Sequence, residues 1–291
     1  MFLCPYMWIV VAVSTLYIIK RKYFGHCECT LEDRLDGKTV IVTGCNTGIG
    51  LERVDELARR GARNCNEKPS VLSVHVEPDQ LICEELDLES PKSIREFANR
   101  IIDFPEKIYD ELGIEKHLKV NHLGHFLLTK LLKPCLHASD GKPCRVIILS
   151  SLLHWLAKLH PNSGFLSGVG SGYAISKLLN VIHAREFVTL VWRWNYFSQR
   201  SSRLGENIHF SFMQREYFLV YYLFRWLTKT SREGAQATVF CALDNNLIPG
   251  AFYSECRPRR CNSQALNDEI CDHVWKTSEA LIDEWVSFSQ K

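Results

Sequence analysis

Tyr173 and Lys177 stand four residues apart in the run Tyr-Ala-Ile-Ser-Lys, and this spacing puts both side chains on one face of a helix. A tyrosine hydroxyl can donate a proton to the alkoxide that forms when a carbonyl accepts a hydride. A nearby ammonium group assists because it favours the phenolate. The pair therefore indicates carbonyl–alcohol redox chemistry, although the spacing alone would more often describe a surface tyrosine and lysine on an amphipathic helix.

Two serines follow a predicted buried strand. Arg145 is followed by four apolar residues, three of them β-branched, which predicts a strand at 145–149 that runs into Ser150 and Ser151. Active sites of parallel α/β sheets lie at the carboxyl ends of the strands. One of the two hydroxyls could therefore donate a hydrogen bond to a substrate oxygen, and side-chain alternation directs the two serines to opposite sides of the strand.

A glycine-rich turn near the start of the chain stands between a strand and a helix. Residues 38–43 predict a buried strand, Gly44-Cys-Asn-Thr-Gly-Ile-Gly50 follows, and residues 51–60 predict a helix that ends at Gly61. Glycines let the backbone turn tightly and approach a pyrophosphate, which then lies at the helix N-terminus. This order is the opening unit of a dinucleotide-binding fold.

Further strands and helices alternate along the chain and must position these groups. The patterns predict a strand at 80–86 that ends at Asp87, and helices at 91–100, 121–133, 173–187 and 233–243. This alternation predicts the α/β class with a parallel sheet. A chain of 291 residues is long enough for one large α/β domain, which we assign to residues 37–291.

The first 22 residues predict an uncleaved membrane anchor, and residues 23–36 a linker. Residues 2–19 carry no charge, and Lys20, Arg21 and Lys22 follow at once. As a helix this run would span roughly 27 Å, close to the thickness of a bilayer core. Because the positive charge follows the apolar run, the C-terminal side should face the cytoplasm. A buried helix and a cleaved signal are the alternatives, but a signal carries its charge before the run.

The composition is that of a globular protein. A formal net charge of +2 argues against a nucleic-acid partner. The twelve cysteines include no Cys-x-x-Cys pair, which favours reduced thiols over a disulfide scaffold. No metal site is predicted, because carboxylates and cysteines do not stand at familiar ligand spacing from the histidines that could serve, namely His117, His122, His125 and His154.

Several segments, in this order, resemble the short-chain dehydrogenases/reductases and, within them, the membrane-anchored retinol dehydrogenase branch. They are Thr43-Gly-Cys-Asn-Thr-Gly-Ile-Gly50, Leu86-Asp-Leu88 with Lys92-Ser-Ile-Arg-Glu-Phe97, Val120-Asn-His-Leu-Gly-His-Phe126, Ser150-Ser151, Tyr173 to Lys177, and Gly250-Ala-Phe-Tyr-Ser-Glu-Cys256. The resemblance covers most of the chain from residue 37 onward. It implies a Rossmann-type, doubly wound parallel sheet with helices on both faces.

The resemblance also implies a role for each candidate residue. The catalytic residues would be Tyr173, Lys177, Ser151 and Asn121, with Asn121 in a water-mediated proton relay. Lys177 would contact the ribose of the cofactor and Asp87 its adenine. Tyr173 and Asn121 would also contact the cofactor, together with the turn residues Thr43, Gly44, Asn46, Gly48, Ile49 and Gly50. Two alternatives stay open, because Asn121 could instead be a helix N-cap and Asp87 could cap the helix that follows it.

The implied function is that of a membrane-anchored oxidoreductase. It would transfer a hydride between NADP(H), with NAD(H) as the alternative, and a lipophilic alcohol or aldehyde such as a retinoid. The resemblance further implies the endoplasmic reticulum membrane, a catalytic domain that faces the cytosol, and a homodimer as one assembly to consider. The aromatic-rich residues 210–226 would line the substrate entrance or rest on the bilayer.

Three segments depart from the family pattern and look like internal deletions. Residues 101–119 hold no Asn-Asn-Ala-Gly segment, and the residues after Arg63 make a poor second strand. Residues 192–202 replace the Pro-Gly turn expected after the sixth strand and align with nothing. The alternative function is therefore a catalytically silent or truncated relative that acts as a membrane-tethered binding protein.

Overall fold

Strands and helices alternate along the computed structural model of the chain. It describes residues 11, 13–15, 17–18, 28–66, 81–83, 85–102, 115–136, 144–160, 171–190, 195–201 and 230–288. The strands are β1 (Thr39–Val42), β2 (Arg63–Asn66), β3 (Leu81–Cys83), β4 (Arg145–Ser151), β5 (Asn195–Ser201), β6 (Phe252–Ser254) and β7 (Arg257–Arg259). The α-helices after residue 28 are α1 (Gly48–Arg59), α2 (Pro91–Ile102), α3 (Lys116–Leu118), α4 (Gly124–Leu132), α5 (Gly172–Leu190), α6 (Ser231–Leu243) and α7 (Asp268–Phe288).

The strands form two sheets where the sequence predicts one. β1, β2 and β3 pair in parallel, and so do β4, β5 and β6, while β7 closes the second sheet as an antiparallel edge. In a doubly wound sheet of order 3-2-1-4-5-6, the fourth strand joins the first to the fifth. The missing Asn-Asn-Ala-Gly segment belongs to that fourth strand. Within the described residues no strand pairs with both β1 and β4.

Two segments that depart from the family pattern nevertheless pair in the sheets. Arg63–Asn66 forms β2, in register with β1 from the pair Thr39–Arg63 to the pair Val42–Asn66. Asn195–Ser201, within the stretch that aligns with nothing, forms β5 and pairs with all seven residues of β4. The prediction of a poor second strand was wrong, because ladder hydrogen bonds to a neighbouring strand outweigh a weak intrinsic strand preference.

Helices cover both faces of the second sheet, as the sequence predicts. Ile148 of β4 packs with Ala184 and Phe187 of α5. The preceding residue, Ile147, packs instead against the cluster of Cys241 and Tyr253 on the α6 side. Neighbouring strand residues therefore serve opposite faces, and each face is covered by a different helix.

The largest core lies among α2, α4, α5 and α7. Its fully buried side chains include Phe97 of α2, Leu123 before α4, Leu178 of α5 and Trp285 of α7. Helix α7 was not predicted from the sequence. Its signals were present, because Asn267 caps its start by accepting the Ile270 N–H at 3.0 Å and apolar residues recur at helical spacing after it.

The helix predicted at 121–133 begins earlier, at Lys116, and runs to Leu132 in three pieces. Glu115 caps the short helix α3, a π-helical turn at Lys119–Leu123 follows, and α4 continues from Gly124. A π-turn inserts an extra residue into a helix and is frequent at functional sites. Asn121 lies inside this turn, so the alternative of Asn121 as a helix N-cap is wrong.

The segment before β1 packs against the folded domain. Cys29 is buried and its N–H donates to Gln236 Oε1 of α6 at 3.0 Å. Leu31 and Leu35 pack against the cluster that Cys29 forms with Val239 and Leu243 of α6. In the described part of the chain no helix is long and apolar enough to cross a bilayer. Most of the predicted anchor, residues 2–19, lies outside the described residues, as do residues 202–229, which hold the aromatic-rich stretch.

The cysteines of the described residues are mostly free thiols. Those with free thiols are Cys29, Cys45, Cys144, Cys241, Cys261 and Cys271. Burial raises the pKa of the Cys241 thiol to about 12, which keeps this thiol protonated and unreactive. Cys256 is the exception to the prediction of reduced thiols, because it is disulfide-bonded.

Two histidines, His122 and His183, are enclosed by the helices that carry the core. Nδ1 of His122 lies 3.2 Å from Asn180 Oδ1 of α5, and its Nε2 lies 3.0 Å from Ser278 Oγ of α7. Burial lowers the pKa of His122 to about 4. Burial also places the pKa of His183 well below its usual range. Each imidazole is therefore neutral in the folded protein at pH 7.

We predict that acidification destabilises the fold between about pH 6.5 and pH 4. The unfolded chain binds a proton at each histidine near pH 6.5, whereas folded His122 does so only near pH 4, so stability present at pH 7 is lost as the pH falls. At pH 5 the loss should be roughly 1–2 kcal/mol for His122, and His183 should add to it in the same direction. Urea unfolding at pH 7, 6 and 5 measures it, and His122→Gln should flatten part of the slope. Equal unfolding free energies at pH 7 and pH 5 would contradict the buried, neutral assignment.

Candidate active site

The glycine turn between β1 and α1 has the geometry of an anion-binding loop. Gly44 and Gly48 adopt left-handed backbone with φ of 63° and 58°, which glycine enters without steric cost. At Gly50 an added Cβ would lie 1.9 Å from the Gly44 carbonyl oxygen. The Thr47 side chain does not cap α1. The first N–H groups of α1 are therefore directed at a site that suits a phosphate.

The other predicted residues of this turn have distinct surroundings. Ile49 is buried beneath the helix start, and Asn46 is exposed at the tip of the turn. Thr43 Oγ1 lies 3.1 Å from Nε2 of His125 on α4, while His125 Nδ1 lies 3.0 Å from the Val120 carbonyl. A carbonyl accepts only, so Nδ1 carries the proton and Nε2 accepts from the threonine. Burial, with the charge of Lys177, lowers the pKa of His125 to about 4.

Asp87 lies exposed between β3 and α2. Its Oδ1 accepts the Glu89 N–H at 2.8 Å, and its own N–H donates to Ser93 Oγ. Ser90 is the residue that caps α2, since Ser90 Oγ accepts the Ser93 N–H at 3.2 Å. The alternative of Asp87 as the cap of this helix is therefore wrong, and its carboxylate forms a local turn instead.

Tyr173 and Lys177 lie on one face of the first turns of α5, as their spacing predicts. Lys177 Nζ lies 5.5 Å from the centre of the Tyr173 ring and donates to the Leu149 carbonyl of β4 at 3.4 Å. Lys177 is buried, so solvent screens its charge little. The lysine thus places a cation beside the phenol ring and ties the helix to the strand that ends in Ser151.

Asn121 reaches the same helix from the π-helical turn. Its Nδ2 donates to Ser176 Oγ at 3.1 Å, and the Ser176 hydroxyl donates to the Tyr173 carbonyl at 2.8 Å. The Asn121 side chain is therefore linked to the backbone of the residue that carries the phenol. Ser176, the residue between the two motif positions, was not singled out by sequence.

Asn180 is a further residue that sequence reasoning missed. Its Nδ2 donates to the carbonyls of Asn121 and Leu149, each at 2.9 Å, and its Oδ1 faces His122. All its polar atoms thus have partners although it is only 3% exposed. Its position three residues after Lys177, on the face that carries Tyr173, was the available signal.

The two serines at the end of β4 point to different neighbours, as the alternation predicts. Ser150 is fully buried and its hydroxyl donates to the Lys177 carbonyl at 2.7 Å. Ser151 Oγ accepts the Leu153 N–H at 3.4 Å, at the start of a 3-10 turn (Leu152–Leu156). That bond uses a lone pair of Ser151, and its hydroxyl hydrogen can still be donated.

The histidines considered as metal ligands are engaged separately. His122 and His125 face α5 and β1 respectively, and His154 Nδ1 donates to the Ser151 carbonyl at 2.6 Å. Across the residues that the structure describes, no three His, Cys, Asp or Glu side chains come together as metal ligands.

Solved structures with a similar backbone are short-chain dehydrogenases/reductases or unassigned proteins. An uncharacterized protein from Mycobacterium paratuberculosis has a TM-score of 0.61 and 22% identity, over 86% of this chain and 94% of that one. A Serratia marcescens short-chain dehydrogenase/reductase mutant has a TM-score of 0.53 and 15% identity, over 76% and 96%. These likenesses confirm the Rossmann-type α/β fold.

Sequence relatives are closer. The chain is 35% identical to retinol dehydrogenase 12 from Bos taurus, over 93% of this chain and 95% of that protein. It is 33% identical to retinol dehydrogenase 11 from Homo sapiens, over 90% and 91%. The chain belongs to the retinol dehydrogenase branch of the short-chain dehydrogenases/reductases. No protein-family model matches it.

The alignment of this short-chain dehydrogenase/reductase with its relative contains gaps, as the departures in its sequence lead one to expect. The alignment with the bovine relative spans 305 residues, more than the 291 residues of the chain itself. Gaps therefore fall inside this chain. The motifs at Thr43–Gly50, Asn121, Ser151 and Tyr173–Lys177 are present in the sequence, while a strand that would join β1 to β4 is not among the described elements.

We predict that two glycine substitutions in the β1–α1 turn have unequal effects. Gly44→Ala should cost about 1 kcal/mol, because its left-handed backbone is strained but its Cβ meets nothing within 4 Å. Gly50→Ala should cost at least about 2 kcal/mol, because backbone must move to admit the methyl group. Urea unfolding of both variants makes the comparison. Equal losses would show that α1 does not approach the turn this closely.

We also predict that Asn180 is required for stability. Asn180→Ala should lower the unfolding free energy by about 2–3 kcal/mol, because two buried carbonyls lose a donor. Asn180→Asp should lower it further, since a carboxylate oxygen would face those carbonyls. The matched control is Lys130→Ala, which removes exposed ion pairs to Glu279 and Asp283 and should cost less than about 1 kcal/mol. Similar losses in Asn180→Ala and the control would refute this role.

Proposed function

We propose that this chain is a membrane-anchored oxidoreductase that transfers a hydride between NADP(H) and a lipophilic alcohol or aldehyde of the retinoid type. The observation that carries the proposal is the position of Lys177 Nζ over the Tyr173 ring, on a helix bonded to Asn121 and to the strand of Ser151. The substrate class follows from the names of its relatives, retinol dehydrogenases 11 and 12.

In the proposed reduction, Tyr173 transfers its hydroxyl proton to the substrate oxygen as that oxygen becomes an alkoxide. The ammonium group of Lys177 stabilises the phenolate that remains. Ser151 donates a hydrogen bond to the same oxygen and so favours its negative charge. In oxidation the phenolate of Tyr173 acts as the base, by the same route in reverse. Asn121 supports the helix start through Ser176 and serves the proton relay to solvent.

The turn residues fit a dinucleotide. A bound nicotinamide cofactor would supply the hydride or accept it. Gly44 and Gly48 turn the backbone, and Gly50 lets α1 approach that turn closely. A pyrophosphate would lie at the start of α1, flanked by Thr43, Asn46 and Ile49, and Asp87 would meet the adenine. The preference for NADP over NAD comes from the family resemblance, because residues 67–80, which follow β2, lie outside the described residues.

The surface beside Ser151 supports a lipophilic substrate. Leu152, Trp155 and Leu156 of the 3-10 turn are 43%, 46% and 67% exposed. Adjacent exposed apolar side chains of this size favour contact with an apolar ligand or a membrane. The anchor proposed for residues 2–19 would hold this surface near the endoplasmic reticulum bilayer on its cytosolic side, where such substrates dissolve.

A second candidate function is that of a catalytically silent, membrane-tethered binding protein. The family segment missing from residues 101–119 favours it, because β1 carries the cofactor turn, β4 carries Ser151, and no strand among the described residues pairs with both. Such a protein could bind cofactor or substrate and yet fail to align them, since small misplacements reduce rates steeply. Binding and turnover must therefore be measured on the same preparation.

We predict that the full chain in detergent binds NADPH, with saturable quenching of its tryptophan fluorescence below about 1 mM cofactor, and reduces retinal. Tyr173→Phe should keep the binding and lose turnover by about 100-fold or more, because the proton donor is gone. Tyr253→Phe is the control, since Tyr253 lies on β6 and its hydroxyl accepts the Ile248 N–H at 2.8 Å, and it should retain turnover.

The outcomes separate the two candidates. Saturable binding without turnover by the native chain would support the silent relative. No saturable binding would exclude the oxidoreductase, and full activity of Tyr173→Phe would show that the proton donor is another group.

A further inference from the structure

The ring of Tyr173 has an aromatic neighbour in addition to the Lys177 ammonium. The imidazole of His117, in α3, meets the Tyr173 ring edge-on, with ring centres 5.9 Å apart and planes at 85°. Edge-to-face contacts of this separation are favourable and directional. His117 belongs to the segment that leads into the π-helical turn of Asn121, so one short stretch of chain contacts the start of α5 twice.

Glu115 holds this imidazole in place. Its Oε1 lies 2.7 Å from His117 Nδ1, and its Oε2 accepts the Leu118 N–H at 2.9 Å. Both carboxylate oxygens are thus engaged, one by the side chain and one by the helix start. Although burial opposes the shift, these bonds hold the pKa of Glu115 below its usual value. The imidazole is therefore oriented by a hydrogen bond to an ionised carboxylate.

The same carboxylate also lies against the helix that carries the tyrosine. A Cβ added at Gly172, the first residue of α5, would come within 2.7–2.8 Å of the Glu115 carboxyl atoms. Glycine at this position is what lets the carboxylate approach the helix start. Glu115 therefore touches the residue before Tyr173 and, through His117, the Tyr173 ring itself.

We propose that Glu115 and His117 form a positioning pair that sets the orientation of the Tyr173 ring. Tyr173 is only half-buried at the first turn of its helix. Contact with its own helix alone would leave the ring free to rotate. His117 and the Lys177 ammonium restrict it from two directions. A proton donor must be held to within about 0.5 Å of its productive position, and the pair supplies that restraint. This inference rests on the proposed function, in which Tyr173 is the proton donor.

The kinetic test compares variants of the pair in the full chain. His117→Ala should lower kcat on the order of 10-fold, because a loosened donor aligns less often, and should change the KM for NADPH by less than about 2-fold. His117→Phe should recover most of the rate, since it keeps an aromatic ring against Tyr173. Glu115→Ala should resemble His117→Ala, and the double variant should be no worse than either alone, because both act through one contact.

The matched control lies between the two residues. Lys116 is exposed, and its Nζ pairs with Glu89 at 2.9 Å, away from Tyr173. Lys116→Ala should therefore leave kcat unchanged. A loss in Lys116→Ala equal to that in His117→Ala, or a His117→Phe variant no better than His117→Ala, would overturn the proposal in favour of a general role of α3 in folding.

A spectroscopic readout tests the pair independently of activity. Tyrosine ring resonances of the labelled protein can be assigned to Tyr173 by their absence in Tyr173→Phe. His117→Ala should shift them, because the ring current of the imidazole is removed, whereas Lys116→Ala should not. An unshifted resonance in His117→Ala overturns the pair. An inactive native chain with the expected shift would support the pair and reject the oxidoreductase.

Discussion

The carboxamide of Asn180 bonds two backbone carbonyls that belong to different parts of the site. One is Leu149 of β4, which also accepts from Lys177, and the other is Asn121 in the π-helical turn. From that turn the connection continues through His125 to Thr43 at the end of β1. Because no ladder joins β1 to β4 among the described strands, this series of side-chain bonds links the cofactor turn to the strand of Ser151.

Such a linkage is stable only where water is excluded and every polar group has a partner. The helices meet this condition, since Leu123, Leu178 and Trp285 are fully buried around His122 and Asn180. The network therefore depends on the packing of α4, α5 and α7 as much as on its own bonds. It follows that stability and site geometry are coupled here, because loss of the apolar core would expose the carbonyls that Asn180 serves.

The sequence predicts those parts of the fold and site that depend on residues close together in the chain. The β1–α1 turn, the run of β4 into Ser151 and the helical pair Tyr173 and Lys177 follow from periodicity and from the conformational freedom of glycine. The strands β2 and β5 could not be predicted, because Arg63–Asn66 and Asn195–Ser201 have weak strand preferences and are ordered by their ladders. The sequence predicted a missing segment before Asn121, and no described strand pairs with both β1 and β4.

The sequence by itself determined the family and the chemical types at the site: a phenol and an ammonium on one helical face, a hydroxyl at a strand end, and a glycine turn before a helix. Only the tertiary structure decided how these groups are held. Asn180, Ser176 and the Glu115–His117 pair act across separations of tens of residues in the chain. Contacts of that kind leave no periodic signal in a single sequence, because they depend on where helices pack and on which carbonyls become buried.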